Sequence, residues 1–326
     1  MPEVNLFGET ICEKAPISRE TLAEQLFFFL RELTLEEFVS LIVNKFDAIL
    51  EYAELANGKK TCQKTSLLFN PQRLDMKTKK NTIGQFARLK ERGYCDGLAR
   101  AILCLGLSPN VLYQALQLGV QGADYVGEFP PHVARELLLE HNCDAHSEVL
   151  DPCAGWGGRM IGVSVVANFY EAFEPATKTF EGLKSLFDFI KILSPEFNCE
   201  LHKLPFEEAK LELERYDFAL TSPPYYDTEK YSEEETNSLN RYKNFDAWQD
   251  GFFLPLIEKT MMALRPGKSF VLNIGSRKYP LNKILAENFS SRYEIKKLRN
   301  YLSGNHCLNR KGEGETFYEI KKGEHK

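Results

Sequence analysis

From residue 129 onward the chain alternates strand-type runs with segments of helix length, and this alternation constrains its fold more than any other feature. Apolar, β-rich runs fall at Glu148–Leu150, Asn168–Phe173, Cys199–His202, Asp217–Thr221 and Ser269–Ile274. Two more, Tyr293–Leu298 and Thr316–Ile320, have only a loop between them. Five strands joined by helical crossovers, then a closing hairpin, predict an α/β fold with a mostly parallel sheet of seven strands and helices on both faces. Ligands of such sheets gather beyond the carboxyl ends of the strands. Chemistry is therefore to be sought just after each strand.

The preceding residues carry helical signals instead. Thr34-Leu35-Glu36-Glu37 is a capping-box pattern, in which the Thr34 hydroxyl accepts from the third helical amide. Phe38, Leu41, Ile42, Phe46, Ile49 and Leu50 continue it at helical spacing, interrupted by Lys45, as far as a stop at Asn57-Gly58. Further helices are predicted over 18–33, 82–92, 97–105 and 109–118. The expected organisation is a mainly helical domain over 1–127 followed by an α/β domain over 128–326.

Lysine and arginine total 41 against 46 acidic residues, a net charge of −5. The balance excludes no partner, because it conceals a switch. Residues 1–58 carry 4 basic and 11 acidic side chains, whereas residues 59–92 carry 10 basic side chains against Asp75 and Glu91. A basic run of this kind is either a solvated connection or a phosphate-contacting surface. The 8 cysteines form no C-x-x-C pair, which argues against zinc ribbons and thioredoxin-type chemistry. The first residues lack the basic start and apolar run of a signal peptide, and no apolar stretch spans a bilayer. A soluble, reduced, cytoplasmic protein is expected.

Two turns carry the candidate chemistry. After the first strand comes Asp151-Pro152-Cys153-Ala154-Gly155-Trp156-Gly157-Gly158-Arg159. Glycines at 155 and 157 allow a tight turn and a close backbone approach to a ligand. The dinucleotide fingerprint is incomplete, since its third glycine would fall at Met160, and the P-loop pattern is absent. The second strand then ends at Glu174, where a carboxylate can accept both hydroxyls of a ribose. After the third strand, Phe206 is positioned to cover an adenine ring.

The fourth strand ends in Thr221-Ser222-Pro223-Pro224-Tyr225-Tyr226. Two prolines remove two amide donors and make the chain leave the sheet as a rigid, extended bend. Free carbonyls beside aromatic rings suit a flat substrate that offers an amino group.

Together, Asp151–Gly158 and Thr221–Tyr226 resemble the S-adenosylmethionine-dependent amino-methyltransferases that act on DNA bases. The resemblance covers roughly residues 129–275. It implies a Rossmann-like class I methyltransferase fold and S-adenosylmethionine as cofactor. Asp151, Cys153, Gly155 and Gly157 match the motif that binds the methionine part, and Glu174 matches the ribose-binding acid. Phe129 and Pro130 stand where a further cofactor segment usually lies. Ser222, Pro223, Pro224 and Tyr225 match the catalytic [DNS]-P-P-[YFW] tetrad. Serine in its first position is commoner among cytosine N4 enzymes than among adenine N6 enzymes. The one Pro-Cys pair, Pro152-Cys153, lies in the cofactor turn, so C5-cytosine chemistry is rejected.

The implied mechanism is direct methyl transfer with no covalent intermediate and no metal. The partner implied is DNA, with RNA an open alternative. Tyr225 or Tyr226 would hold a target base taken out of the stack, and Glu229 and Tyr231 are candidates to read its edge. Lys77, Lys79 and Lys80 in the basic run, with the 303–312 loop (His306, Arg310, Lys311), are candidates for phosphate contacts. Two other readings stay open: methylation of RNA or of a protein side-chain amide, and a non-catalytic module that binds adenosylmethionine or nucleic acid.

Overall fold

The computed structural model describes residues 18–60, 64–78, 83–105, 126–274, 278–301 and 315–323. The expected helix over 109–118, Lys79, Lys80 and the 303–312 loop lie outside the described residues.

A seven-stranded sheet forms from β2 (Glu148–Asp151), β3 (Phe169–Phe173), β4 (Asn198–His202), β5 (Tyr216–Thr221), β7 (Leu264–Ile274), β8 (Glu294–Tyr301) and β9 (Glu315–Lys321). Their order across the sheet is β4-β3-β2-β5-β7-β9-β8. The first five are parallel, and β9 enters antiparallel between β7 and β8. This strand order, with the last strand inserted against its neighbours, is that of the Rossmann-like class I methyltransferase fold anticipated above.

The period-two alternation of the strands sorts their side chains into two apolar layers. Val149, Ala172, Leu220 and Val271 enter one cluster, with Leu183, Leu186 and Ile190 of the helix Thr177–Leu193. Their neighbours Leu150, Phe173, Ala219, Phe270 and Leu272 enter the other, against the helix Leu254–Ala263. Strands buried on both faces are why β5 and β7 read as nearly unbroken apolar runs.

The helical region has its own core of Leu30, Phe38, Val39, Ile42, Leu67, Leu74, Phe86 and Leu98. It is also joined to the α/β part, since Ala48, Tyr52 and Leu55 lie in the same cluster as Val133, Leu137 and Met160. The capping box at Thr34 is present, with Thr34 Oγ1 accepting from Glu37 N at 3.2 Å and Glu37 Oε2 accepting from Thr34 N at 2.8 Å.

The single helix expected from Thr34 to Asn57 is instead two, Leu35–Ile42 and Lys45–Ala56. Asn44 and Asp47 form a second capping box, each side chain accepting from the other's backbone amide at 3.0–3.2 Å. That break rotates the second helix about its axis. It buries Ala48, Tyr52 and Leu55 and leaves Phe46, Ile49 and Leu50 exposed, contrary to the stripe read from spacing.

A smaller antiparallel pair links the two halves: β1 (Lys77–Thr78) lies against β6 (Glu229–Lys230), with Lys77 opposite Lys230 and Thr78 opposite Glu229.

Candidate active site

The carboxyl ends of β2, β3, β5 and β7 converge, and three turns meet there. Gly157 adopts φ 96°, and a Cβ at this position would stand 2.4 Å from Leu186 Cδ2. Only glycine allows the turn to press on the Thr177–Leu193 helix. Gly155, at φ 59°, lies in the left-handed region that favours glycine, and a Cβ there would stand 3.9 Å from the Arg159 side chain and the Cys153 carbonyl.

Asp151 holds this turn from beneath. Its Oδ2 accepts from Arg159 Nε and Tyr170 OH, both at 2.6 Å. Its Oδ1 accepts from Cys153 N at 3.1 Å and from Thr221 Oγ1 at 2.7 Å. Four donors account for the lone pairs of a carboxylate. The structure therefore gives Asp151 a positioning role within the turn, in place of the direct ligand contact expected for it. Cys153 N also donates to Thr221 Oγ1 at 3.1 Å, and burial pushes the Cys153 thiol well up.

Glu174 follows β3. Its Oε1 accepts from Ala176 N at 2.9 Å, and burial pushes its carboxyl up to about 7 against the opposing pull of the Ala176 and Gly155 amides. Phe206 is a correction. Its ring is 2% exposed and meets Phe173 edge-on at 5.1 Å, so it is a core residue with almost no surface left for an adenine. Phe129 lies between Phe317, 5.8 Å away, and the Arg159 guanidinium, 5.1 Å from its ring, while Pro130 is buried as the cap of the helix Pro131–Glu140.

The proline bend leaves β5 directly beside β7. Parallel pairing sets Thr221 opposite Leu272, which brings Ser222 next to Asn273. Asn273 Nδ2 donates to Ser222 Oγ at 3.2 Å, and the Asn273 carbonyl accepts from Tyr225 OH at 3.2 Å. Ser222 Oγ and Tyr225 OH are 3.1 Å apart. The Tyr225 proton is committed to a carbonyl, so in that third contact Ser222 is the donor. Ser222 Oγ thus gives its own proton to Tyr225 and accepts one from Asn273. One lone pair on Ser222 Oγ then remains.

Asn273 was missed in the sequence. The available signal was a polar residue near the end of the apolar run Phe270–Ile274, which the structure buries to 1% exposure.

Tyr226 has φ 52°, left-handed for a residue with a side chain. Its ring packs against Phe245, Trp248 and Tyr279 at 5.5–6.0 Å. The chain then crosses above the glycine turn. Tyr231 sets its ring 6.0 Å from Trp156. Glu234 accepts from Thr177 N at 3.0 Å and from Thr177 Oγ1 at 2.9 Å, at the start of the helix that follows Glu174. Tyr231 therefore stands against the glycine turn. The Glu229 backbone pairs with β1, and its side chain lies outside the described set. Lys77 is exposed on β1.

The helical region also reaches this turn, a contribution that sequence reasoning missed. Asn70 Nδ2 donates to the Trp156 carbonyl at 3.0 Å. Glu128 accepts from Gly158 N at 2.7 Å, while its other oxygen takes Ser66 Oγ and the Arg73 guanidinium. Burial raises the Glu128 carboxyl and Arg73 opposes that shift.

No family model matches the chain, and no curated protein matches it. Solved structures do. A putative class I S-adenosylmethionine-dependent methyltransferase from Listeria monocytogenes has a TM-score of 0.44 at 15% identity, over 93% of this chain and 88% of its own. The tRNA (m1A58) methyltransferase of Aquifex aeolicus gives 0.41 at 13%, over 60% and 70%. The T. thermophilus 16S rRNA N2 G1207 methyltransferase, solved with AdoMet and guanosine, gives 0.40 at 18%, over 63% and 45%. The strand order, independently of these likenesses, carries the fold assignment. No described helix is long and apolar enough to cross a membrane.

Proposed function

We propose that this protein transfers a methyl group from S-adenosylmethionine to the exocyclic amine of a nucleic-acid base, cytosine N4 in DNA before adenine N6. The observation that carries this reading is the contact between the glycine turn and the proline bend. Thr221, the residue before Ser222, hydrogen-bonds both Asp151 and Cys153. One residue thereby sets the spacing between the place for a methyl donor and the place for its acceptor.

The residues present fit the cofactor. Glu174, whose carboxyl is pushed up to about 7 by burial, would be relieved by hydroxyl donors such as those of a ribose. Gly155 and Gly157, both in left-handed backbone, would present the turn without side chains to the methionine part. When bound, the sulfonium supplies an already activated methyl group, so positioning is the protein's main task.

The protein's own residues would act on the amine. Its lone pair is delocalised into the base. Ser222 Oγ, held as an acceptor by Tyr225 and Asn273, takes one amine hydrogen, and the Pro223 carbonyl takes the other. Both contacts favour a pyramidal nitrogen with its lone pair aimed at the methyl group; transfer would break the sulfur–methyl bond, leaving S-adenosylhomocysteine, and the surplus proton on the nitrogen would pass to solvent. Tyr225 and Tyr226 supply faces for the base.

Transfer of tritiated methyl to DNA and to RNA, followed by nucleoside mass spectrometry, tests the reading. N4-methylcytosine in DNA is the expected product. N6-methyladenine would correct the weight placed on Ser222, and label confined to RNA would move the assignment to the RNA alternative. Label in neither nucleic acid would overturn it.

A further inference from the structure

The segment that follows the proline bend turns back across the carboxyl edge of the sheet, a course that chemistry at the bend does not itself require. It leaves β5, passes the glycine turn after β2 and reaches the residues after β3, in the order in which those three strands adjoin. A contact marks each stage. Glu229 and Lys230 form a ladder of two residues with Thr78 and Lys77 of the helical region. The Tyr231 ring lies 6.0 Å from that of Trp156, which stands between Gly155 and Gly157. Thr236 Oγ1 donates to the Pro175 carbonyl at 3.4 Å, one residue after Glu174.

The firmest anchor is Glu234. The helix Thr177–Leu193 has Ala176 at its N-cap, which offers no side-chain acceptor to the free amides there. Glu234 supplies one from 57 residues away, accepting from Thr177 N at 3.0 Å and from Thr177 Oγ1 at 2.9 Å. Negative charge is favoured at that end of a helix.

The segment is also braced within itself. Ser232 Oγ accepts from Glu234 N at 3.0 Å, and Asn240 Nδ2 donates to the carbonyls of Ser232 and Glu234 at 3.1 and 2.8 Å. Lys230 pairs with Glu233 at 2.5 Å. Its hold on the core is lighter, since no residue from 230 to 236 is buried. A braced segment attached by a short ladder and half-exposed hydrogen bonds belongs to the least stable part of a fold, which opens without global unfolding.

We propose that residues 229–236 form a strap across the cofactor site, latched by Tyr231 on Trp156 and by Glu234 on Thr177, which lifts to admit S-adenosylmethionine and to release S-adenosylhomocysteine. The strap regulates that same site and rests on the methyl-transfer reading above, whichever base is methylated. The glycine turn and the residues after Glu174 are both anchor points, so a ligand seated between them is spanned by the strap. Exchange at every turnover then requires the strap to move, a step that limits the rate of many enzymes whose product is held under a loop.

Two measurements on the full chain check the strap, and neither uses a nucleic acid. Hydrogen exchange read by mass spectrometry needs no variant. S-adenosylhomocysteine at about a hundred times its dissociation constant should slow exchange over residues 229–237 at least about tenfold, and unchanged exchange there overturns the strap. Stopped-flow fluorescence, with Trp156 as reporter, gives the rates of S-adenosylhomocysteine binding and release. A gate governs entry as well as exit. Tyr231→Ala and Glu234→Ala, which loosen different latches, should therefore each raise both rates at least about fivefold, the worth of one hydrogen bond. Glu234→Gln retains an acceptor for Thr177 and should recover most of the wild-type rates; no recovery overturns Glu234 as a latch. A rise in release alone, in both alanine variants, would mean that these residues only support the cradle, and overturns the strap. Wild type that binds no S-adenosylhomocysteine overturns the methyltransferase reading together with the strap. Binding with unchanged exchange and unchanged rates overturns the strap alone.

Discussion

Thr221 and Asp151 sit at the ends of neighbouring parallel strands, and the Thr221 hydroxyl donates to the Asp151 carboxylate at 2.7 Å while accepting from the Cys153 amide. Thr221→Val keeps the shape and removes both bonds. A buried acceptor and a buried amide lose a partner at about 1–3 kcal/mol in total. The midpoint of chemical denaturation should fall accordingly, and methyl transfer should slow by more than cofactor affinity weakens. A variant equal to wild type in both measurements would show that the two turns are set independently.

The Glu174 carboxyl, pushed up to about 7 by burial, predicts the direction of a pH dependence. A raised carboxyl adds stability under acid conditions, and that contribution is lost as pH rises from the usual carboxylate range through about 7. Ribose hydroxyls favour the ionised form, so cofactor binding competes with the proton. Affinity for adenosylhomocysteine should be flat above about pH 7 and weaken by about tenfold per unit below it. Titration calorimetry from acid to alkaline pH checks this, and Glu174→Gln should bind weakly with the slope removed.

Ser222 is fixed as an acceptor by Tyr225 and Asn273. Tyr225→Phe keeps the ring and frees the serine proton to turn toward the substrate. The expected result is a fall in kcat of about threefold to tenfold, the worth of one hydrogen bond, with little change in cofactor affinity. Ser222→Ala should lose at least as much. Single-turnover rates separate these effects from binding.

Arg73 and Glu128 are side chains 5% and 2% exposed, and they join the helical region to the start of the helix after the glycine turn. Arg73→Met leaves the buried Glu128 carboxylate without its cation, with only Gly158 N and Ser66 Oγ still donating to it, at a cost of about 3–5 kcal/mol. The Arg73→Met/Glu128→Gln double variant should recover much of that loss, a coupling readable by urea denaturation. Additive losses would deny the pair its structural role.

Much of this architecture is written in local pattern. The alternation from residue 129, the glycines at 155 and 157 and the prolines at 223 and 224 act through backbone dihedrals and apolar periodicity, which neighbours in sequence specify. They determined the succession of strands and helices in the α/β part and pointed to the two turns where chemistry is placed. Even local reading failed at Asn44, because a second capping box ran beneath an apolar stripe that continued through it.

Tertiary structure alone decided the partners. Asn273 meets Ser222 because two strands pair in one register across about fifty residues of chain. Asn70 and Arg73 reach the glycine turn because the helical region shares a core with the sheet. Phe206 turns inward onto Phe173, and four donors occupy Asp151. Periodicity reports which face of an element is apolar, but a hydrogen bond needs two groups within about 3 Å. That proximity exists only once the strands have chosen their register.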